Sequence, residues 1–518
     1  MKKIGIAILS SLMLANMTSC DLDTNPTDKV SSEQMLSTVD GEMAAMNGIY
    51  RACYRYEWSG YDTENFGICA HNLMDELMGE DFIQHEPGSY WFAYDYYYWI
   101  RTEINNKSDR PYGLWNFYYQ MINNANNILA TIDDAEGDDR LRLNVKAQAL
   151  TMRAFSYSRL ICYYQRTYVG HEQDPGVPLY LEPTTSQTEG KGRGTVEDVY
   201  TQINKDLDEA IQLFKDADMS QEHISHIDLY VAYGIKSRVA LVQNKWEDAL
   251  SAASAALEKP GLTLMDNKTL TSGFNSTANS EWMWGAEIIE SQGTGWASFF
   301  NLMDATASGY AENARMCCSS WLYAMMDDDD VRKAWFVAPM PAEEEEETGQ
   351  KLSYCQKKYQ VKSSSSWTAD YLYMRGAEMY LNKAEALCRL ERYAEARATL
   401  KELCEPRYSP SSFDARLAKV SDSKEQTLKS SESMDVNTLM DEILLQRRIE
   451  LWGEGFRVLD IERLKVPMVR DYAMPEDNNH NEYAIFDLEA DSWEPIMMLP
   501  MSEFDANPNL DPSTDQNP

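Results

Sequence analysis

Residues Tyr380–Pro406 read YLNKAEALCRLERYAEARATLKELCEP, and Tyr233–Pro260 repeat the same arrangement of small and large residues. When Ala249 is aligned with Ala396, four further pairs match: Tyr233/Tyr380, Ser237/Ala384, Ala240/Leu387 and Trp246/Tyr393. Small residues at this spacing let two antiparallel helices approach closely, while the larger side chains fill the groove between them. Each segment is therefore predicted to form a tetratricopeptide-like helical hairpin.

An isolated hairpin of this kind leaves one face uncovered, so further helices are expected beside it. Leu143–Gln165 and Val196–Phe214 each place their apolar residues on one helical stripe. Glu281–Ile289 instead alternates like a short strand in which Trp282 and Trp284 pack inward. The predicted fold class is all-α dominated, a tetratricopeptide-like helical hairpin scaffold with long irregular excursions and minor β elements.

Long stretches without helical periodicity separate the predicted helices. They are Gly60–Asp95, Glu172–Gly194, Gly261–Pro341 and Pro406–Val436. Excursions of this length are usually functional or flexible. The shorter serine-rich segment Lys362–Ser366 is predicted to be a solvated connector.

The formal net charge of −36 narrows the range of ligands. Attraction to nucleic acid or to acidic polymers is not expected at this charge, and a neutral ligand fits it better. Of the nine cysteines, all but Cys20 are scattered without the spacing of a disulfide scaffold or of a zinc site. No cofactor and no structural metal are predicted, while calcium stays undecided because scattered Asp residues are too common to indicate a site.

Several blocks of sequence resemble one family. Ile443–Asp460, ILLQRRIELWGEGFRVLD, is similar to the ERR-x-E-L-x-x-E-G-x-R-x-x-D block of the SusD/RagB outer-membrane lipoproteins, with Gln446 in place of the usual glutamate. Further matching blocks are Trp115–Asn127, Arg153–Tyr157 with Gly176–Leu179, Arg375–Leu387 and Leu499–Leu510. The resemblance implies nutrient capture beside a partner, a SusC-like TonB-dependent transporter over which the protein closes as a lid.

The N-terminal segment has the layout of a bacterial lipoprotein signal. Lys2 and Lys3 precede the apolar run 4–14, which is too short to span a bilayer, and Thr18-Ser19-Cys20 resembles the lipobox. We expect a signal peptide at 1–19, lipidation of Cys20, a tether at 20–30 and a single binding domain at 31–518. Acidic residues directly after Cys20 resemble the export signal of Bacteroidetes surface lipoproteins, which predicts a lipid-anchored protein on the extracellular side of the outer membrane.

The charges in Ile443–Asp460 indicate structure more than catalysis. Arg447 with Glu450, and Glu454 with Arg457, can pair at i,i+3 on a helix. An acid/base role for the two glutamates is the alternative, but nearby arginines would depress both pKa values and leave no proton donor at neutral pH. No nucleophile, zinc or phosphate-binding motif is present, and His223-x-x-His226 lacks a third ligand. The sequence predicts a protein that is not an enzyme, with no catalytic and no metal-binding residue.

Aromatic residues mark the predicted ligand site. Sugar rings pack their C–H faces on Trp and Tyr, while polar groups meet the hydroxyls. The predicted platforms are Trp91, Tyr94, Tyr96, Tyr97 and Trp99 in the dense run Tyr90–Trp99, with Trp296, Tyr310 and Trp321 in the later excursion. A run this dense must also supply core residues, so only part of it is expected to face a ligand.

Three functional hypotheses follow from these observations. The leading one is binding of an extracellular oligosaccharide or polysaccharide. A second is peptide binding, which relies on backbone hydrogen bonds and fewer stacked aromatics. The third is a protein-interaction scaffold that carries no nutrient and keeps its partners when the aromatic runs are changed to alanine.

Overall fold

A computed structural model describes residues 35–55, 64–84, 91–98, 109–293, 295–363, 365 and 367–518. The predicted signal peptide, Cys20 and Trp99 lie outside the described residues. The α-helices are α1 Val39–Ala52, α2 Ile68–Leu77, α3 Ala93–Tyr96, α4 Asp109–Thr131, α5 Asp139–Tyr164, α6 Val196–Ala217, α7 Leu229–Val242, α8 Trp246–Ala256, α9 Asn267–Leu270, α10 Phe299–Met303, α11 Ser320–Met325, α12 Ala342–Thr348, α13 Gly376–Arg389, α14 Tyr393–Cys404, α15 Ser412–Leu417, α16 Leu439–Glu450, α17 Arg457–Leu464 and α18 Met501–Ala506.

The long helices form one array in which neighbours along the chain pack side by side. α4 packs on α5, α5 on α6, α6 on α7 and α7 on α8, after which α8 packs directly against α13 and α13 against α14 and α16. The chain between α8 and α13 leaves this array and returns to it. The structure confirms the predicted all-α dominated scaffold with long excursions.

Both predicted hairpins are present, as α7/α8 and α13/α14. Ala249 and Ala396 are completely buried, as the close approach of the two helices in each hairpin requires. The two hairpins are joined by a polar contact, in which Asn382 Nδ2 donates to Ser237 Oγ at 3.1 Å. The hairpins therefore cover each other's open faces, which is the neighbour that each one needs.

The described β-structure consists of three small antiparallel pairs. β1 (Phe82–Gln84) pairs with β3 (Met316–Cys318), β2 (Trp282–Ala286) with β4 (Tyr371–Arg375), and β5 (Met468–Val469) with β6 (Asp487–Leu488). Phe82 lies opposite Cys318, and Trp282 lies opposite Arg375. The predicted strand at Trp282 and Trp284 is confirmed, and both indoles are buried.

Several stretches that were predicted to be irregular contain helices: α9, α10 and α11 lie within Gly261–Pro341, α15 lies within Pro406–Val436, and α2 is the longest of these helices. α2 (Ile68–Leu77) lies within Gly60–Asp95, and all of its residues except Asn72 are buried. Polar residues of α2 such as His71 and Asp75 are buried together with its apolar ones, so the polar and apolar positions of this helix do not separate into an exposed face and a buried face. Glu76 of this helix accepts hydrogen bonds from the backbone N–H groups of Gly453, Gly455 and Phe456, which docks the family-like block on α2.

The charges of Ile443–Asp460 are buried, but their partners differ from the predicted i,i+3 pairs. Arg447 donates to Asp460 at 2.6 Å, and Arg457 pairs with Glu80. Glu450 instead faces Arg375 at 2.8 Å and Arg332 at 3.0 Å, with Arg407 at 3.6 Å. The expected pairing along the helix was wrong because these side chains point into the core, where other elements supply the counter-charges.

Arg375, at the junction of β4 and α13, is the centre of this buried network. It donates to Glu281 at 2.7 Å, to Glu450 at 2.8 Å and to Glu454 at 2.8 Å, and all four side chains are at least nine-tenths buried. Although burial opposes ionisation, the surrounding guanidinium groups hold the pKa of Glu450 well below its usual range. Glu450 and Glu454, whose pKa values the surrounding cations lower, act as structural counter-ions.

Within the part of the chain that the structure describes, no helix combines the length and the apolar character needed to cross a membrane.

Candidate functional site

Four aromatic side chains from three separate segments meet at the surface. This aromatic cluster comprises Trp91, Trp296, Tyr310 and Trp367. The Trp296 ring centroid lies 5.0 Å from that of Tyr310 and 4.6 Å from that of Trp367, and the Trp91 ring also contacts Tyr310. Trp296 keeps 52% of its surface exposed, and the other three are partly buried. The two predicted platforms thus converge on one continuous surface.

The backbone that carries Trp296 and Tyr310 is fixed by one buried amide. Asn301, in α10, donates from Nδ2 to the Trp296 carbonyl at 2.8 Å and accepts at Oδ1 from the Tyr310 N–H at 3.0 Å. Its side chain is completely buried. A Cβ atom on Gly309 would overlap Asn301 Oδ1, so a glycine is needed where the chain passes this amide. The relative placement of the two rings is therefore set before any ligand binds.

Trp367 is held against the same segment by a hydrogen bond of its own indole, and a second hydrogen bond holds the chain six residues before it. Its Nε1 donates to the Ala307 carbonyl at 2.7 Å, and Asp304 Oδ2 accepts from the Val361 N–H at 2.9 Å. The Trp367 backbone has a φ of +47°, which non-glycine residues rarely adopt. Such strained positions persist only where their surroundings determine them, and they are enriched at binding sites.

Trp91 sits at the start of a short, well-anchored segment. Its carbonyl accepts from Gln84 Nε2 at 3.0 Å, and the next residue, Phe92, has a φ of +57° and donates its N–H to Glu64 at 2.7 Å. Asp95, in α3, forms a buried ion pair with Arg110 at 2.7 Å. These contacts give Trp91 a fixed backbone beside Tyr310.

The chemistry of the aromatic cluster suits a neutral ligand with both apolar and hydroxylated surfaces. The rings of Trp296 and Tyr310 are inclined by 38° and those of Trp296 and Trp367 by 47°, so the three rings do not lie in one plane. Partial burial raises the pKa of Tyr310, so its hydroxyl stays neutral and can donate as well as accept. Across the described residues, no group of three or more His, Cys, Asp or Glu side chains is placed to hold a metal ion.

The structure brings together three of the predicted platform residues, Trp91, Trp296 and Tyr310. Tyr94 lies on α3 and is 37% exposed. Trp99 lies outside the described residues.

Three other predicted platform residues need correction, because they are core residues. Tyr96, Tyr97 and Trp321 are 0%, 5% and 0% exposed and offer no ring face to a ligand. Arg470 lies over the Tyr96 ring at 4.8 Å, and Trp321 Nε1 donates to the Ser433 carbonyl at 3.1 Å. Tyr96 and Tyr97 stand in a run of aromatic residues whose inward and outward members have the same composition, and Trp321 lies outside that run with no local sign of its burial, so the sequence does not identify these three as core residues.

Trp367 was missed because it directly follows Lys362–Ser366, which was predicted to be a solvated connector. The available signal was a tryptophan directly after a serine run, in a stretch where Val361 and Ala369 are its nearest apolar neighbours.

The comparisons with known proteins agree with this architecture. Residues 68–241 match a family model described as SusD-like, starch-binding and associating with the outer membrane, and residues 326–518 match the SusD family model. A SusD-like protein of Formosa agariphila is 22% identical over 89% of this chain and 91% of its own length.

Solved structures share the whole fold. A SusD-like carbohydrate-binding protein from Bacteroides vulgatus superposes with a TM-score of 0.75 and 25% identity, covering 92% of this chain and 97% of its own. A laminarin-binding SusD-like protein superposes with a TM-score of 0.64 and 18% identity, covering 93% and 99%.

Proposed function

Because the chain belongs to the SusD family, we propose that it is a cell-surface lipoprotein that binds an extracellular glycan and delivers it to a SusC-like TonB-dependent transporter of the outer membrane. Cys20 carries the lipid in this proposal, and residues 31–518 act as one binding domain that faces the extracellular side.

The exposed aromatic cluster is the observation that carries the proposal. A pyranose ring has faces of C–H groups that pack on indole and phenol rings, and these contacts need water excluded from only one side of the aromatic ring. Trp296 presents such a face, and Asn301 fixes its position relative to Tyr310. A preformed surface of this kind binds without first ordering its side chains, which preserves affinity.

Hydrolysis of the glycan is assigned to other proteins. Glu450 and Glu454, the carboxylates that the sequence offered as an acid/base couple, are buried and paired with Arg375. A carboxylate that remains ionised at neutral pH has no proton to give to a leaving group. Both residues also lie in the buried network rather than in the aromatic cluster.

The test is a binding panel with the soluble chain begun after Cys20. Affinity gel electrophoresis and calorimetry would compare starch, laminarin and other neutral plant, mucosal and microbial glycans with mixed peptides. Trp296→Ala and Trp367→Ala are each expected to weaken binding by about tenfold, since an aromatic contact contributes about 0.5–1.5 kcal/mol beyond its buried area.

Trp246→Ala is the matched control, because it truncates a partly buried tryptophan of α8 in the helical array. It is expected to leave glycan affinity unchanged. Binding of peptides alone would overturn the glycan assignment. Unchanged glycan binding in folded Trp296→Ala/Trp367→Ala protein would move the site away from the aromatic cluster.

A further inference from the structure

A second cleft lies on a different part of the molecule. This tail cleft is bounded by α4, by residues 180–190 and by α18, and it has a volume of about 320 Å³. That volume is at the lower end of the range for small-ligand sites, about 300–1,000 Å³. None of the residues of the aromatic cluster lines it. The tail cleft is therefore a separate concavity with its own lining.

Aromatic rings form one wall of the tail cleft. Tyr112 is 44% exposed, and the Trp115 and Tyr119 ring centroids are 4.7 Å apart. Tyr180 meets Tyr119 almost edge to face, at 5.9 Å and 78°. Tyr119 is itself held by a hydrogen bond of 2.8 Å from its hydroxyl to the Pro178 carbonyl. Tyr112 adds an exposed ring to the lining beside these contacting rings.

The polar side of the tail cleft is also fixed in advance. Glu503 accepts from Trp115 Nε1 at 3.3 Å through one oxygen and from Asn507 Nδ2 at 2.9 Å through the other. The Asn123 amide exchanges hydrogen bonds with the backbone of Thr184 at 2.7 and 3.4 Å. These contacts hold a carboxylate and an amide at the rim without freedom to rearrange.

Asn116 lines the tail cleft one helical turn from Tyr112. Among the residues that the structure describes, its half-buried amide has no hydrogen-bond partner. A primary amide supplies two donors and an acceptor, which matches the paired hydroxyls of a sugar ring. The adjoining tyrosine face accepts the C–H side of the same ring.

From this lining we infer that the tail cleft is a second glycan site, which takes a short segment of a neutral hexose chain. The Glu503 carboxylate and the net charge of −36 disfavour uronic or sulfated sugars. This inference rests on the proposed function, and it adds a second point of attachment for one polymer. Two linked sites raise the local concentration of the chain at each of them, so the affinity for long chains exceeds the affinity for short ones.

The test uses four proteins: the wild type, Trp296→Ala/Trp367→Ala, Tyr112→Ala/Asn116→Ala and the combination of all four changes. Alanine is compatible with α4, so the helix is kept. Calorimetry would titrate each with starch-derived, laminarin-derived, galactan, mannan and xylan oligosaccharides, and affinity electrophoresis would use the parent polymers. Thermal melting would confirm that every variant folds.

The expected result for oligosaccharide is two sites on the wild type and one on each double variant. For the polymer, each double variant is expected to lose affinity by about tenfold or more, because each removes one of two linked sites. If Tyr112→Ala/Asn116→Ala protein matches the wild type in stoichiometry and in polymer affinity, the second site is overturned while the proposed function stands. If Trp296→Ala/Trp367→Ala protein binds glycan like the wild type and only Tyr112→Ala/Asn116→Ala protein loses binding, the tail cleft is supported as a glycan site and the aromatic cluster is rejected as one. No glycan binding by the wild type overturns both.

Discussion

Trp296 and Trp367 pack their indoles against each other with ring centroids 4.6 Å apart, although one precedes α10 and the other follows the serine-rich segment 362–366. Neighbouring side chains that contact the same ligand are coupled, whereas distant ones act independently. The two residues should therefore behave as one unit in binding.

This coupling is measurable in a double-mutant cycle. Trp296→Ala and Trp367→Ala each loosen the partner ring, so the double variant is expected to lose less binding energy than the sum of the single losses, by about 0.5 kcal/mol or more. Calorimetry with a glycan ligand measures the binding free energies of the wild type, the two single variants and the double variant. Strict additivity would show that the two indoles hold the ligand separately.

Gly309→Ala is expected to disturb the placement of Trp296 and Tyr310 in the aromatic cluster, although Gly309 is not itself part of the cluster. The added Cβ would overlap Asn301 Oδ1, so the amide must turn and release the Trp296 carbonyl or the Tyr310 N–H. Glycan affinity should fall while the far-ultraviolet circular dichroism stays unchanged.

Gly48→Ala is the control for this substitution, because a Cβ there meets no atom within 4 Å in the exposed part of α1. It should leave binding unchanged and raise the free energy of unfolding by about 0.5–1 kcal/mol, the usual gain for alanine over glycine inside a helix. Equal binding losses in the two variants would contradict a specific role for Gly309.

Glu450→Gln is expected to destabilise the fold strongly without changing the site. It leaves Arg332, Arg375 and Arg407 buried with less counter-charge, and breaking a buried pair costs about 3–5 kcal/mol. Denaturant unfolding measures the change in the free energy of unfolding. The folded fraction should bind glycan with unaltered affinity.

Arg392→Ala is the control, because it breaks the exposed pair with Glu395, and it should lower the free energy of unfolding by about 1 kcal/mol or less. Similar midpoints for the two variants would argue against the buried network as a main source of stability.

The acidic residue Glu42 should make stability depend on pH in the neutral range. Burial raises its pKa from 4.5 to about 7, an effect only partly opposed by the hydrogen bond from Thr131. Between those values the folded chain holds the proton more tightly than the unfolded chain, so the free energy of unfolding falls as pH rises. Glu42→Gln should flatten the melting temperature between pH 4.5 and 7, whereas Glu343→Gln, on exposed α12, should not.

The helical scaffold could be predicted because its signal is local. Spacing of small residues within each hairpin, such as Ser237 with Ala249, is sufficient to define a close helix pair, and the helices formed where expected. The counter-charges of Glu450 could not be predicted, because Arg332 and Arg375 are remote in sequence and meet it only in the folded core.

The candidate site was predicted in part for a related reason. Trp296 and Tyr310 were predicted from their place in the long excursion Gly261–Pro341, which also holds the buried Trp321. Tyr96 and Trp321 could not be distinguished from exposed rings, because residues far along the chain contact them. Arg470 lies over the Tyr96 ring, and the Ser433 carbonyl accepts a hydrogen bond from Trp321.

The network around Arg375 also determines how the chain responds to being cut. Acidic α12 is largely exposed. Along the sequence it follows Glu281 and precedes the other members of the network, Arg375, Glu450 and Glu454. Proteolysis within α12 would therefore separate the covalent chain while the buried ion pairs, together with the β2–β4 pairing, still join the two pieces. A nicked molecule should migrate as one particle under native conditions and as two fragments in detergent, which offers a route to expressing and labelling the halves separately.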